Sequence, residues 1–416
     1  MEKILHYVWK HKIFPVKQLT TQDGKPVEVI NPGILNTDAG PDFLGAQVKI
    51  DGLLWVGNVE IHVRTSDWFR HKHDLNHVYD SIILHVTSNL DASLSYPSGE
   101  AVPQIVIDIP TQVLENYDRL VSRDVYPPCR DVIADMPRLT IHSWLTALHV
   151  ERLEERTRQI MKRRSRLNMD WEDTMFVTVA RSFGFGKNGD AFEVWANSIP
   201  MSAVGKHRDN LFQVRAIFFG QAGMLDGTSL SGMDEKEYKD LCNEYKYLRA
   251  KFSLTPIERH RWNYLRLRPQ NFPHVRIGQL ANLYYEGTLS FAALINANTV
   301  DDCMKLFDVP SKTFQLSKAS KHILLINAVL PFVFAYGTYR NNDELKERAT
   351  EMYEQIDAED NKIVRSWIDA GLKPEHAADS QALIQLYNRY CQPHDCLRCR
   401  FGHEYISHSP DWLKED

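Results

Sequence analysis

Between Asn36 and Val86 the chain crowds together side chains able to hold a metal ion: Asp42, Glu60, His62, His71, His73, His77 and His85. Asp42 follows Pro41, and the triplet Glu60-Ile61-His62 sets Glu60 and His62 two residues apart, on one face of a strand. Phosphodiester hydrolysis needs such groups. Carboxylates hold one or two divalent metals, which activate a water and stabilise the pentacovalent phosphate. Hard oxygen ligands suit Mg²⁺ or Mn²⁺. On this reading Asp42 and Glu60 bind metal, and His62 orients the water, stabilises charge or adds a ligand. His85, on the next strand, reaches the same centre. A separate option is a zinc metallohydrolase built on histidines, because His73 and His77 share a face if their segment is helical. The plain alternative makes Glu60 and His62 the wet face of a half-buried strand, with the other histidines solvated.

Several elements must position these groups. Ile4, Leu5, Val8 and Trp9 recur at helical spacing and predict an amphipathic helix over 2–12. Asp23-Gly24, between strand-like runs in Val16 to Val29, and Asp51-Gly52 are hairpin turn signals. Ala46, Val48 and Ile50 alternate with Gln47 and Lys49 before the second turn. After it, Trp55, Val59, Ile61 and Val63 oppose Asn58, Glu60, His62 and Arg64. Asp42 has the parity of Ala46 and Val48, the core side, so it meets Glu60 only if the strand bulges near Gly45. Thr65-Ser66-Asp67 caps an expected helix carrying Trp68, Leu75 and Tyr79 on one face. Ser81 to Thr87 and Ala101 to Ile109 are further strands. Residues 1–112 are therefore an α+β domain. Beyond Tyr126-Pro127-Pro128 nearly every segment has a 3.6 period, so 113–416 is a mainly helical domain, with a possible seam from Gly227 to Glu235 and no repeat of fixed period.

The whole chain has 416 residues, 49 Lys and Arg against 54 Asp and Glu, and a formal charge of −5. A globally basic nucleic-acid coat is excluded, although a local basic patch is not. The N-terminus MEKILHYVWKHKIF has no signal-peptide pattern. No uncharged apolar run reaches about 18 residues, and Ile323 to Tyr336 has the length of a buried helix, so no membrane association is expected. Six cysteines in a chain of this length do not make a disulfide framework. A cytoplasmic setting is expected.

The helical region holds three more candidates. Arg259, Arg261, Arg266, Arg268 and Arg276 lie among Trp262 and Tyr264, a mixture that grips phosphates and stacks bases of DNA or RNA; buried structural arginines are the rival reading. Arg152, Arg156, Arg158, Lys162, Arg163, Arg164 and Arg166 form a second basic run, read as a solvated helix face. Arg181 to Gly189 has a phosphate-loop flavour but lacks GxxxxGK[ST], so it reads as a helix-ending turn. At the far end stand Cys391, Cys396 and Cys399, with His394 and His403 beside them, a spacing suited to zinc or an iron–sulfur cluster. The fourth ligand would be His394, His403 or a distant Cys129, Cys242 or Cys303.

Pro41-Asp42 and Glu60-Ile61-His62, in an order of helix, strands, Glu strand, helix and strand, resemble the PD-(D/E)XK nuclease superfamily. The resemblance implies a restriction-endonuclease-like mixed sheet with flanking helices, Asp42 and Glu60 on metal, and the lysine's role passed to His62, with Lys49 a second source of positive charge. Some nucleases of that superfamily carry a C-terminal iron–sulfur staple. The phrases NTDAGPDF, GNVEIHVRTSDW, YDSIILHV, RSFGFGKN, LRPQNFPHVRIGQLA and CLRCRFGH resemble, along essentially the full chain, an uncharacterised bacterial domain-of-unknown-function family. The function expected is a divalent-metal-dependent nuclease. The alternatives are a non-catalytic nucleic-acid- or protein-binding module of the same fold, and the histidine-cluster metallohydrolase.

Overall fold

The computed structural model describes residues 1–14, 19–166, 170–227 and 230–407. The start of the strand-like run at Val16 and part of the Gly227–Glu235 seam lie outside the described residues. The chain divides into two compact units. The first takes Met1–Thr140, Ser366–Leu372 and the chain from Leu386; the second takes Ile141–Arg365 and Lys373–Gln385. The expected boundary near residue 112 therefore falls inside the first unit, which also recovers segments from the far end of the chain.

In the first unit, helix α1 (Glu2–Lys10) buries Ile4, Leu5, Val8 and Trp9 as their spacing demands, and packs on the sheet. The sheet is mixed. Strands β1 (Leu19–Thr20), β2 (Pro26–Asn31), β3 (Ile34–Leu35), β4 (Phe43–Ile50) and β5 (Leu53–Arg64) pair antiparallel. Strands β6 (Ile82–Asn89) and β7 (Gln104–Val106) then add in parallel, giving the order β1-β2-β4-β5-β6-β7 with β3 on β4. Thr21 bridges to Ile105, and Gln22 N–H donates to Gln104 O at 3.0 Å, so the sheet curls until it is nearly closed and barrel-like. Central β6 is covered on both faces, which is why IILHV reads as a continuous apolar run interrupted by His85. Helix α3 (Thr111–Ser122) follows the sheet.

Two expectations change here. The segment after β5 is not one helix. It makes a single turn, α2 (Asp67–Arg70), then two 3₁₀ turns at His73–Leu75 and His77–Tyr79. Lys72 in the left-handed region (φ 61) and Asn76 in extended conformation break the repeat, and Leu75 is left exposed while Trp68 is buried. Nor is the Glu60–His62 face wet: both side chains are buried, and it is the hairpin end of β5 that is solvated.

The second unit is helical around an aromatic core that includes Phe183, Phe192, Trp195, Phe218, Phe219, Phe332 and Tyr353. Helix Trp171–Phe183 ends at Gly184 and the next begins at Gly189, so the glycine-rich segment between them is the expected helix-ending turn. The basic run on helix Arg138–Arg166 is only partly solvated: Arg152 is bonded to Gln381, Arg163 to Glu193, and Arg164 lies over Trp171 and Tyr339. The apolar run Ile323–Tyr336 belongs to a longer helix, Lys318–Arg340, continuous through a π-helical turn at Leu325–Val329. Among the described residues this helix alone has the length and composition to cross a membrane, and 61% of its apolar stretch is buried inside the unit.

Candidate metal centre

The two carboxylates come together through an irregularity in β4. The β4–β5 register slips between Phe43 and Ala46, where Gly45 takes φ 67. Phe43 and Ala46 are both fully buried although their parities differ. The slip thus turns Asp42 away from the core and toward Glu60, as its parity requires. Asp42 N–H donates to Glu60 Oε2 at 3.0 Å, and Ile61 N–H donates to Asp42 Oδ2 at 2.9 Å. His6 of α1 brings Nε2 to 3.3 Å from that same Oδ2.

Histidines complete the site. His62 Nε2 lies 3.7 Å from Glu60 Oε1 and 3.2 Å from His71 Nδ1, and His73 Nε2 lies 3.2 Å from Glu60 Oε1. One nitrogen from each of His62, His71 and His73 lies within 4.8 Å of the other two. Zn–N bonds of 2.0–2.1 Å in a tetrahedron imply ligand–ligand edges of about 3.3–3.4 Å. Three of the six edges among Glu60, His62, His71 and His73, at 3.2, 3.2 and 3.7 Å, bracket that figure, and the three histidine nitrogens lie within 4.8 Å of one another. The break at Lys72 produces this arrangement, because it folds His71 and His73 back over the β5 strand that carries Glu60 and His62. On the opposite side of the ring, His62 Nδ1 meets His85 Nε2 at 3.0 Å. Buried Trp68 stands edge-on to His62, His73 and His85, and the Tyr79 ring lies 3.9 Å from that of His73. The walls of the site are therefore aromatic.

Burial sets the charge states. Desolvation, then the neighbouring Asp42 carboxylate, pushes Glu60 well above the usual carboxylate range. Desolvation, then His85 and His73, pulls His62 down to about 3. His85 falls to about 4, chiefly through desolvation, and His73 is lowered by burial and then by His71. Neutral imidazoles present lone pairs, the form that ligates a metal. A divalent cation would also favour the ionised form of Glu60.

Several expected site residues take other places. His85 is the register partner of Glu60 across the β5–β6 pair, and its Nε2 meets His62 Nδ1. His77 is on the surface, with Nδ1 2.9 Å from Asp80, so no i, i+4 pair with His73 exists. Lys49 is paired with Glu28 at 3.5 Å, roughly 20 Å along extended chain from Asp42, and cannot supply charge there. Two contributors were not anticipated at this centre: His6, and the joining of His71 and His73 to His62. The density of histidine after β5 was the only sequence signal for the latter.

In the second unit the arginines divide. Arg276 is buried, donates to Gln279 at 2.8 Å and Asn271 at 2.5 Å, and lies 4.1 Å from the centroid of Phe185, which makes it a structural arginine. Arg259 pairs with Asp226 at 2.6 Å and Arg261 with Glu258 at 3.7 Å, while Arg266 and Arg268 are exposed. Back in the first unit, Cys391 is half-buried and Cys396 and Cys399 are buried. His403 is engaged elsewhere, accepting or donating at 2.8 Å with Tyr7 Oη and stacking on His11.

A family described as "Protein of unknown function (DUF2851)" matches residues 2–362. The chain belongs to that family. No curated protein and no solved structure matches it. The DUF2851 match takes in every residue of the histidine–carboxylate centre and stops before the cysteines of the C-terminal segment.

Proposed function

We propose that this DUF2851 protein is a metal-dependent hydrolase of phosphodiesters, with its metal on Glu60, His62, His71 and His73. The observation that carries the reading is the run of contacts His73–Glu60–His62–His71, at 3.2, 3.7 and 3.2 Å, in an aromatic-walled site where Glu60 and His62 are buried, His73 is half-buried and His71 is open to solvent. Three imidazoles favour zinc or a comparable transition metal over the Mg²⁺ or Mn²⁺ suggested by carboxylates alone. The metal would polarise a phosphoryl oxygen and lower the pKa of a bound water. Asp42, tied to Ile61 N–H and beside His6, is assigned the role of general base: it would take the proton of the attacking water and return it to the leaving alkoxide.

The choice of phosphodiester rests on the PD-(D/E)XK resemblance. Asp42 precedes the hairpin, Glu60 lies on its return strand, and a parallel strand follows. His62 departs from that pattern. Held neutral by burial, it cannot act as lysine's protonated stabiliser, so its role here is ligation. Metal analysis and hydrolysis of bis(p-nitrophenyl) phosphate, DNA and RNA with Zn²⁺, Mn²⁺ and Mg²⁺ test the reading. Bound metal and turnover are expected, with a loss of at least ~10²-fold in His62→Ala and Asp42→Ala. Equal turnover in both variants would overturn the assignment. Stoichiometric metal without turnover, together with salt-sensitive nucleic-acid binding, would favour a non-catalytic module, for which exposed Arg266 and Arg268 are the candidate contacts.

A further inference from the structure

We infer that Cys129, Cys391, Cys396 and Cys399 form a four-thiolate metal site, for one zinc ion or an iron–sulfur cluster, distinct from the histidine–carboxylate centre. All four belong to the first compact unit, although Cys129 comes from the middle of the chain and the others from near its end.

The local geometry explains how they meet. Cys129 ends the Tyr126-Pro127-Pro128 turn and leads into a 3₁₀ turn at Arg130–Val132. Cys391 closes a π-helical turn, Tyr387–Cys391. The chain then doubles back, with His394 N–H donating to Cys391 O at 3.1 Å, Asp395 N–H to Tyr390 O at 2.8 Å, and His394 itself at φ 55. Cys396 opens a 3₁₀ turn, and Cys399 N–H returns to Cys396 O at 3.2 Å, so that the CxxC forms a compact knuckle. The helix that follows, Arg400–Ser407, packs on both the knuckle and the turn beside Cys129. Gly402 makes this closeness possible: a Cβ there would lie 2.2 Å from Cys396 O.

The electrostatics agree with the geometry. Burial, followed by the other three sulfurs, raises the Cys129 thiol. Burial, then Cys399 and Cys396, raises Cys391, and burial, then Cys399, raises Cys396 to about 12. Each of the four sulfurs is thus within electrostatic reach of the other three. No three of them lie within 4.8 Å of one another as the histidine nitrogens do, a spacing closer to the corners of an iron–sulfur cluster than to the roughly 3.7 Å edges of a zinc tetrathiolate. None of the four is in a disulfide. Four unbridged thiols gathered by these turns, three buried and one half-buried, make a good ligand set for a soft metal, which binds them as thiolates and draws the sulfurs together. Lys10, Arg398 and Arg400 are gathered within mutual influence at the edge of the knuckle; Asp395, 3.3 Å from Arg398, neutralises one of them, and the remaining positive charge would offset part of the negative charge of a tetrathiolate centre. The other two cysteines are elsewhere: Cys303 is buried with its sulfur 4.0 Å from that of Met352, and Cys242 lies beside Tyr238, both in the second unit.

The test uses the full chain purified without oxygen. Metal and sulfide analysis should find, beyond whatever the histidine centre holds, either one zinc or iron with acid-labile sulfide and a visible absorption band. X-ray absorption at that metal's edge should show sulfur ligation at about 2.3 Å. Cys129→Ser and Cys396→Ser should lose this metal, whereas His62→Ala and Cys303→Ser should keep it. The absorption measurement needs no variant, so it decides even if Cys129→Ser does not fold. Absence of any sulfur-ligated metal from the wild-type protein, or its retention in Cys129→Ser, overturns the proposal. Because His62→Ala leaves this metal in place, failure here and failure of the hydrolase reading are separable.

Discussion

His85→Leu separates a ligand from the residue that supports one. His62 carries two ring nitrogens with different duties: Nε2 faces Glu60 and His71, and Nδ1 meets His85 Nε2 at 3.0 Å. When a metal occupies Nε2, the ring proton must sit on Nδ1 and donate to His85. His85 in turn faces Gln104, its partner across the β6–β7 pair. Leucine fills much of the space but accepts nothing, so the metal-bound form has a buried N–H without a partner, at a cost of about 1–3 kcal/mol. The metal-free form escapes part of this cost by moving the proton to Nε2. Metal affinity should therefore fall about 10–100-fold, the range usual for the outer partner of a ligating histidine. Competition against a chromophoric chelator measures the affinity, and thermal unfolding of the metal-free protein shows whether the fold is intact. Unchanged affinity would refute the support role. Complete loss, equal to that of His62→Ala, would make His85 a ligand in its own right.

Two further outcomes concern the second unit. His149 is 4% exposed, and desolvation, followed by Arg152, lowers it from 6.5 to about 4. The unfolded chain therefore binds the extra proton first, and stability should fall as pH drops from about 6.5 to 4, by about 3 kcal/mol in total; urea unfolding of His149→Gln across that window should show a correspondingly shallower decline. Arg276→Met leaves Gln279 and Asn271 without their partner and should cost about 2–4 kcal/mol in urea unfolding while leaving nucleic-acid binding at low salt unchanged; normal stability with lost binding would refute its structural role.

Much of this protein is legible in the order of its residues. Period-2 alternation places Glu60 and His62 on one face of β5, and the Asp-Gly step at 51–52 closes its hairpin, because strand pleat and turn chemistry are local properties. The helical spacing of α1, and the change to helical periodicity beyond the tandem prolines, are local too. Other features depend on contacts across the chain. Gly45 is compatible with a bulge, but only pairing with β5 shows that the register slips there and brings Asp42 to Glu60. A histidine-rich stretch after a Ser-Asp cap suggests a helix; Lys72 and Asn76 break it, and packing over β5 joins His71 and His73 to His62. The depth at which Glu60 and His62 lie comes from their cover, Trp68 among it, and no alternation pattern encodes that. Cys129 stands 262 residues before Cys391, and spacing could suggest only that some distant group completes the knuckle. Side-chain face and turn type follow from neighbouring residues, whereas ligand sets, burial and proton affinity follow from what the tertiary fold brings together.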